Sequence, residues 1–450
     1  MASPPATDTS DVQPLPRGFA RLIFTQFVSG LADHALLVIA FALLMHQGAD
    51  PWWAAMLKFF FTLAYVLLAP WVGIWADRRP KAQVMASMNL LKLGGVVMLL
   101  LGASPWLAMA WVGLGAAAYA PAKYGLLTEL VLPQQLVRAN SWLEVSVVSA
   151  AILGAVTAGV LISPAVTTSS VAQWVQGWAG ALGWHAQAHP FALALLGLGA
   201  CYLAAAALNA GLPDSGARYP RQPLHPWPVC RDFLRANAVM WRDPAGRLSM
   251  AVTTLFWGVG ATLQVAVLLW AQEVLGLRIE HGTYLQGVVA VGVMVGAAAV
   301  GRAVCLGRSP AVLPAGMLLG GLLMAGAWLS DVRAAALVML LAGVSAGVLV
   351  VPLNALLQYR GHTLLTAGRS IAVQNFNENL GVLGLVAFYS LLLSQGLHIQ
   401  QAMSLLGLLI AIHMAVLFLW WRRTGSASGA IKSLAEVKPP AATSRQWPQR

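Results

Sequence analysis

Asp33 and Glu378 stand in unusual company. Each is flanked on both sides by at least eight residues without another formal charge, and a carboxylate in such a setting needs a partner or a water-filled space, which makes it a functional candidate. Polar side chains recur around them at helical spacing. Gln26, Ser29, Gly30 and Asp33 fall on one face; so do Thr253, Trp257, Gly260 and Gln264; and so do Ser370, Gln374, Asn377 and Glu378, with Asn375 and Asn379 beside them. Lys92, Lys123, Glu144 with Asn140, and Asn354 with Gln358 extend the set, while Lys58 reads as a lysine that snorkels to the outer surface. Such residues offer hydrogen bonds and charge partners to a polar group inside a membrane.

The elements that must position them are membrane spans. Of 450 residues 59% are hydrophobic and only 9% charged, against about 25% charged in a soluble domain, and mean hydropathy is +0.72. These values exclude a soluble enzyme, a secreted module and a disordered tail. Apolar runs of roughly the 20 residues a bilayer requires predict twelve transmembrane helices near 19–45, 52–75, 83–103, 106–127, 139–162, 190–211, 248–272, 284–305, 311–329, 334–357, 370–394 and 399–421. An even number puts both termini on one side. Placing them in the cytoplasm puts 22 of the 27 Lys and Arg there, as the positive-inside rule requires. The expected organisation is an all-α integral membrane protein with a cytoplasmic tail (1–18), a six-helix bundle (19–212), a Pro- and Arg-rich linker (213–247), a second six-helix bundle (248–421) and a cytoplasmic tail (422–450). At about 1.5 Å per residue Asp33 then lies roughly 20 Å, and Glu378 about 12 Å, from the cytoplasmic start of its span.

Several chemistries drop out. Residues 1–18 lack an apolar h-region and a cleavage site, so they read as a tail rather than a signal peptide. Cys201, Cys230 and Cys305 have no metal-ligand spacing and no disulfide framework. Gly343-Val-Ser345-Ala-Gly347 matches a nucleophile elbow but lies inside an apolar span without His and Asp partners; its glycines, with Gly292, Gly296, Gly316 and Gly320, read as helix-packing positions. No phosphate-binding G-x-x-x-x-G-K-[ST] loop and no His-x-x-x-x-Asp acyltransferase signature occur, so neither enzymatic activity nor a cofactor is expected. The +12 net charge is topological rather than a nucleic-acid footprint. The outer segment 163–190 contains no Lys, Arg, Asp or Glu and spaces Trp174, Trp178 and Leu182 by four; an interfacial amphipathic helix and an irregular Trp-anchored loop both fit it.

A shift of 231 residues lays Pro121 on Pro352, Leu126 on Leu357 and Arg138 on Arg369, which suggests two related halves with a substrate site between them. Gly73-Ile-Trp-Ala-Asp77-Arg78-Arg79-Pro80-Lys81 resembles the loop 2–3 signature of the major facilitator superfamily, with Pro80 where that family usually has Gly. The resemblance implies a conformational latch: Gly73 permits close helix approach, Asp77 engages the other half, and Arg78 and Lys81 help hold the cytoplasmic face closed. Three stretches narrow it: Gln26 to Leu37, Gly115 to Gly125 around Tyr119-Ala-Pro121-Ala-Lys123, and Val351-Pro352-Leu-Asn354-Ala-Leu-Leu-Gln358 followed by Gln374-Asn375 and Glu378-Asn379. Together with Phe256-Trp257-Gly258 they resemble the bacterial lysophospholipid transporter family across all twelve spans.

That resemblance implies a flippase that brings lysophosphatidylethanolamine and related lysolipids from the outer to the inner leaflet of the bacterial inner membrane, where a partner acyltransferase/acyl-carrier-protein synthetase re-acylates them. Asp33 and Glu378 would attract the ethanolamine ammonium or organise the charge of the cavity. Lys123, Asn354 and Gln374 would bind phosphate or glycerol oxygens, with Gln26, Ser29, Glu144, Gln264 and Asn375 completing the substrate site. Departures from the family pattern are Gln264 where an arginine is expected, His34 where Asn is usual, and the 163–190 segment as an insertion. A proton-coupled exporter of amphiphilic drugs and a transport-incompetent lipid sensor fit the same residues.

Overall fold

The apolar runs fold as helices packed into two groups. The computed structural model describes residues 14–16, 18–49, 53–184, 190–220 and 225–424. Most of both expected tails, with Arg17 and the basic residues after Arg423, lies outside the described residues, as do Arg221 in the linker and 185–189 of the outer segment. The helices are α1 (Phe19–His46), α2 (Trp53–Leu67), α3 (Ala69–Arg78), α4 (Lys81–Leu100), α5 (Pro105–Leu130), α6 (Leu136–Leu161), α7 (Pro164–Thr167), α8 (Ser170–Ala181), α9 (Ala192–Ala210), α10 (Pro226–Arg242), α11 (Pro244–Glu273), α12 (Ile279–Ala303), α13 (Leu313–Gly326), α14 (Val332–Leu364), α15 (Ala367–Ser394) and α16 (Ile399–Thr424).

Among the described residues ten helical stretches are long and apolar enough to cross a membrane, and α2 with α3, bent by 67° at their junction, make an eleventh. Pro70 sits in the first turn of α3, where its ring and missing N–H break the ladder. The remaining expected span, 106–127, folds as α5, which is 26 residues long but not apolar enough to count among these. Its Gly and Trp residues, Pro121 and Lys123 lower its hydropathy, and it packs against α1, α2, α3, α4 and α15.

Span ends shift where local chemistry dictates. Helix α11 starts at Pro244, four residues before the expected 248, because Asp243 caps it by accepting from Gly246 N at 2.8 Å and Pro244 occupies the first turn. Helix α14 runs on to Leu364, past the expected 357. Pro121 and Pro352 both sit inside helices, α5 and α14. The linker is not simply irregular: α10 places Val229, Phe233, Ala236 and Met240 on one buried stripe, packed against α3, α11 and α15. Of the two forms expected for 163–190, the described part takes the helical one. In α8 Ala172, Val175 and Ala179 are buried, with Ala192 of α9 in the same cluster, while Val171, Trp174 and Trp178 are turned outward.

One face collects the starts of odd-numbered spans and the ends of even-numbered ones. Arg21 of α1 donates to the Gly211 carbonyl after α9, Arg247 of α11 lies 5.3 Å from the Trp420 ring of α16, and Arg360 of α14 pairs with Asp243. We refer to it as the termini face and to its opposite as the far face.

Within each half, small residues bring backbones into contact. A Cβ on Gly296 would lie 2.1 Å from the Val344 carbonyl oxygen and one on Gly343 2.2 Å from that of Val289, so α12 and α14 touch main chain to main chain. Gly320 of α13 and Gly407 of α16 meet in the same way. The Gly343-x-Ser345-x-Gly347 segment is therefore a packing seam; Ser345 donates to the Leu341 carbonyl at 2.9 Å. Gly296→Ala is expected to force these helices apart at a cost of about 1–3 kcal/mol, read as a lower melting temperature of the purified protein. Gly260→Ala, where a Cβ meets nothing within 4 Å, should leave it unchanged.

Candidate functional site

The polar residues sort by which half their partners belong to. Asp33 is bound wholly within the first half. Its Oδ2 lies 2.7 Å from Lys92 Nζ of α4, and its Oδ1 accepts from the Tyr202 hydroxyl of α9 at 2.8 Å. Lys92 also donates to Ser29 at 3.3 Å and sits 4.7 Å from the centre of the Tyr119 ring. Ser29 in turn donates to Asn89 Oδ1 at 2.7 Å. Lys92 is 1% exposed against 20% for Asp33, so the pair presents a carboxylate edge, not an ammonium, to its surroundings. The stripe of Gln26, Ser29 and Asp33 is thus real, but two of its members serve an ion pair whose cation comes from a span that supplied no stripe.

Nearer the middle the first half contributes Lys123, which donates to Gln26 Oε1 at 3.3 Å and lies 4.3 Å from the Tyr124 ring. Glu144 of α6 acts electrostatically on Lys123 and on Tyr124, and Glu378 of α15 acts on Tyr124 from the second half. Gln374 Nε2 donates to Glu378 Oε1 at 2.8 Å and to Asn354 Oδ1 at 2.6 Å. Thr253 of α11, buried like Glu378, donates instead to the Met250 carbonyl at 3.4 Å. The structure therefore brings Gln26, Lys123, Glu144, Asn354, Gln374 and Glu378 to one buried region shared by α1, α5, α6, α14 and α15.

Beside Glu378 on the same stretch of α15, two buried side-chain atoms have no hydrogen-bond partner among the described residues: Gln374 Oε1 and Asn375 Nδ2. An acceptor and a donor left open inside an apolar bundle are expensive unless something else bonds them. Asn377 leaves the expected stripe. Lying about 100° round the helix from Glu378, it donates to Asn237 at 2.8 Å and accepts from Trp241 Nε1 at 3.1 Å, both on α10. Sequence reasoning missed this docking because it read 213–247 as a linker; the spacing of Val229, Phe233, Ala236 and Met240 was the available signal.

Between the halves, bonds collect toward the termini face. Asn140 of α6 and Gln358 of α14 exchange two amide hydrogen bonds, both 2.9 Å, and Asn354 adds a third to Asn140 at 3.3 Å. Ser141 donates to the Ala297 carbonyl of α12 at 2.7 Å. At the end of α3, Asp77 accepts from Gly368 N at 2.9 Å and from the Thr366 hydroxyl, so a carboxylate of the first half caps the N-terminus of α15 and meets its dipole. Gly73 makes this possible, since a Cβ there would lie 2.9 Å from both Arg369 Cα and the Gly368 carbonyl oxygen. Lys81 ties the cap down through Asp77 at 3.3 Å and Glu129 at 2.6 Å. Arg78 is exposed and lines the same junction near Tyr219 and Arg369.

Gln264 is set apart from the central group. It is exposed on α11 and accepts from Lys58 Nζ of α2 at 2.7 Å. Lys58 thus does not snorkel away from the bundle; it reaches across to the second half, and brings a cation to the position where the family resemblance leads one to expect arginine.

The family model of the Major Facilitator Superfamily matches residues 22–384. The chain is 37% identical over 411 residues to the lysophospholipid transporter LplT of Shigella boydii serotype 4 (strain Sb227), covering 90% of this chain and 96% of the relative. The same identity and coverage hold for LplT of Escherichia coli O139:H28. Among solved structures it is similar to a bacterial homologue of the iron transporter ferroportin in an outward-facing state, with TM-score 0.67 and 18% identity over 90% of this chain and 100% of that one. It is also similar to the E. coli fucose:proton symporter FucP, with TM-score 0.68 and 13% identity over 90% and 98%. At these identities the two structures speak for the fold alone.

The ion pair gives a sharp expectation. Asp33→Asn strands the Lys92 ammonium in the first half and should destabilise the purified protein by about 3–5 kcal/mol. Asp33→Asn combined with Lys92→Met should recover most of the melting temperature. Equal losses in the single and double variants would show that Asp33 has another, more important partner.

Proposed function

This chain belongs to the major facilitator superfamily and, within it, to the lysophospholipid transporter family; from that premise we propose that it carries lysophosphatidylethanolamine and related lysolipids from the outer to the inner leaflet of a bacterial inner membrane by alternating access. The observation that carries this reading is the buried polar region between otherwise apolar walls, to which the first half brings a cation, Lys123, and the second a carboxylate, Glu378.

A lysolipid has a phosphate, an ammonium or glycerol group and a single acyl chain. Among the described residues Lys123 has one hydrogen-bond acceptor, the neutral Gln26 amide, and an ammonium carries three donors, so it retains donors for a phosphate oxygen. Glu378 and Glu144 suit the ammonium, and the open atoms of Gln374 and Asn375 suit glycerol or phosphate oxygens and hydroxyls. Asp33, already neutralised by Lys92, fits the role of organising charge better than that of a direct ligand. The acyl chain stays against apolar helix surface.

The basic residues of the termini face support its assignment to the cytoplasm. On that assignment the Asp77 cap and the Asn140–Gln358 exchange hold the cytoplasmic side closed, and transport needs them to open. The released lysolipid would be the substrate of a partner acyltransferase/acyl-carrier-protein synthetase, and this chain would act as a transporter rather than an enzyme.

The test is inward movement of labelled lysophosphatidylethanolamine in vesicles holding the purified protein, with and without an imposed proton gradient. Movement that needs no gradient is expected. Movement only with a gradient, or outward, would favour a proton-coupled exporter, and binding without movement a sensor. Glu378→Gln should slow transport about tenfold, the loss of one charge-assisted contact of about 1.4 kcal/mol, at an unchanged melting temperature. Asp77→Ala, which frees the N-terminus of α15, should also slow it while making the termini face more accessible to a water-soluble thiol reagent at an introduced cysteine. An Asp77→Ala protein with wild-type rate and accessibility would contradict the latch.

A further inference from the structure

Lys58 is the cation whose position the proposed transport scheme leaves unused. It lies five residues into α2, about 8 Å from the far-face end of that helix, on the same face as Tyr65 seven residues on. Its Nζ is directed across the divide between the halves to the side-chain carbonyl of Gln264, 2.7 Å away. Among the described residues no carboxylate lies within ion-pair distance of it, in contrast to Lys81 and Lys92. Both Lys58 and Gln264 are exposed. Gln264 is itself steadied, because its main-chain carbonyl accepts from the Gln286 side chain of α12.

A primary ammonium that satisfies one of three donors on a neutral amide keeps its charge available to an anion. The amide can turn its own NH₂ toward the same anion once the lysine lets go. An anionic group arriving from the far side therefore replaces the neutral amide acceptor of the ammonium with a charged one, which is the favourable direction. We propose that Lys58 and Gln264 form a phosphate-accepting subsite at the far mouth, one that engages the phosphodiester of an incoming lysolipid and, when empty, closes on itself as a tie between the halves. This rests on the transport reading above, and adds to it where the head group is first held and what keeps the empty far mouth shut.

Because the subsite reads phosphate and not the rest of the head group, it acts alike on ethanolamine and glycerol lysolipids.

The experiment measures binding to full-length protein in nanodiscs of two probes with the same acyl chain, lysophosphatidylethanolamine and the phosphate-free monoacylglycerol. Wild type is expected to prefer the lysolipid. Lys58→Gln should weaken lysolipid binding about tenfold and leave monoacylglycerol unchanged, while Lys58→Arg should stay within about threefold of wild type, which separates charge from folding. Lysolipid binding by Lys58→Gln equal to wild type would overturn the subsite while leaving the transport reading intact. Failure of wild type to distinguish the two probes would overturn both. Competition by millimolar inorganic phosphate would assign the site to free phosphate and overturn the lipid assignment; no competition is expected.

Discussion

A polar atom placed in hydrocarbon must find its partner within the protein, and in this chain the partners come in two kinds. Some lie in the same half, as Lys92 and Tyr202 do for Asp33. Others lie in the opposite half, as Gln358 does for Asn140, Gly368 for Asp77 and Gln264 for Lys58. Bonds of the first kind stiffen a bundle; bonds of the second kind set which face of the cleft is shut. The division between them decides which parts of the molecule move as bodies and which contacts must be exchanged for them to move.

The two cross-half sets differ in build. Toward the termini face the seam combines reciprocal amides, a carboxylate on a helix N-terminus and a main-chain approach permitted by Gly73. Its hydrogen bonds are individually modest, each of about 1 kcal/mol net, but they share rigid helices and must open together. The far-side bond is carried by two long exposed side chains. On the proposed scheme, a substrate anion that competes for one ammonium–amide bond opens the second set more readily than the first, which would give the molecule a resting bias and a way for a head group to relieve it.

Much of this was legible in the sequence. The all-helical membrane fold follows from apolar length, and the choice of candidate residues from charge placement and helical spacing, because a membrane leaves a chain few alternatives. What spacing could not convey was partnership. Asp33 reads as a free ligand until α4 brings Lys92 beside it, 59 positions away. Lys58 reads as a snorkelling lysine until α11 offers Gln264, and Asn377 reads as a cleft residue until α10 covers it. Helix α10 itself was hidden by Pro226, Pro228 and its arginines, which resemble a linker although a proline at the first position of a helix costs no hydrogen bond. The bend of the second span at Leu68 was signalled only by Pro70.

The central claim is that lysolipid releases the far-face tie first and the termini-face seam only afterwards, so that the two faces open in turn. It is tested most directly by paired spin-label distances in nanodiscs, on protein whose Cys201, Cys230 and Cys305 have been replaced, with one pair at Arg79→Cys and Thr363→Cys on the termini face and another at Leu101→Cys and Gln395→Cys on the far face. Saturating lysophosphatidylethanolamine should populate one state in which the second distance lengthens while the first stays short, and another in which the first lengthens while the second is short. Two distances that both stay fixed, in protein that still moves the lysolipid, would contradict it.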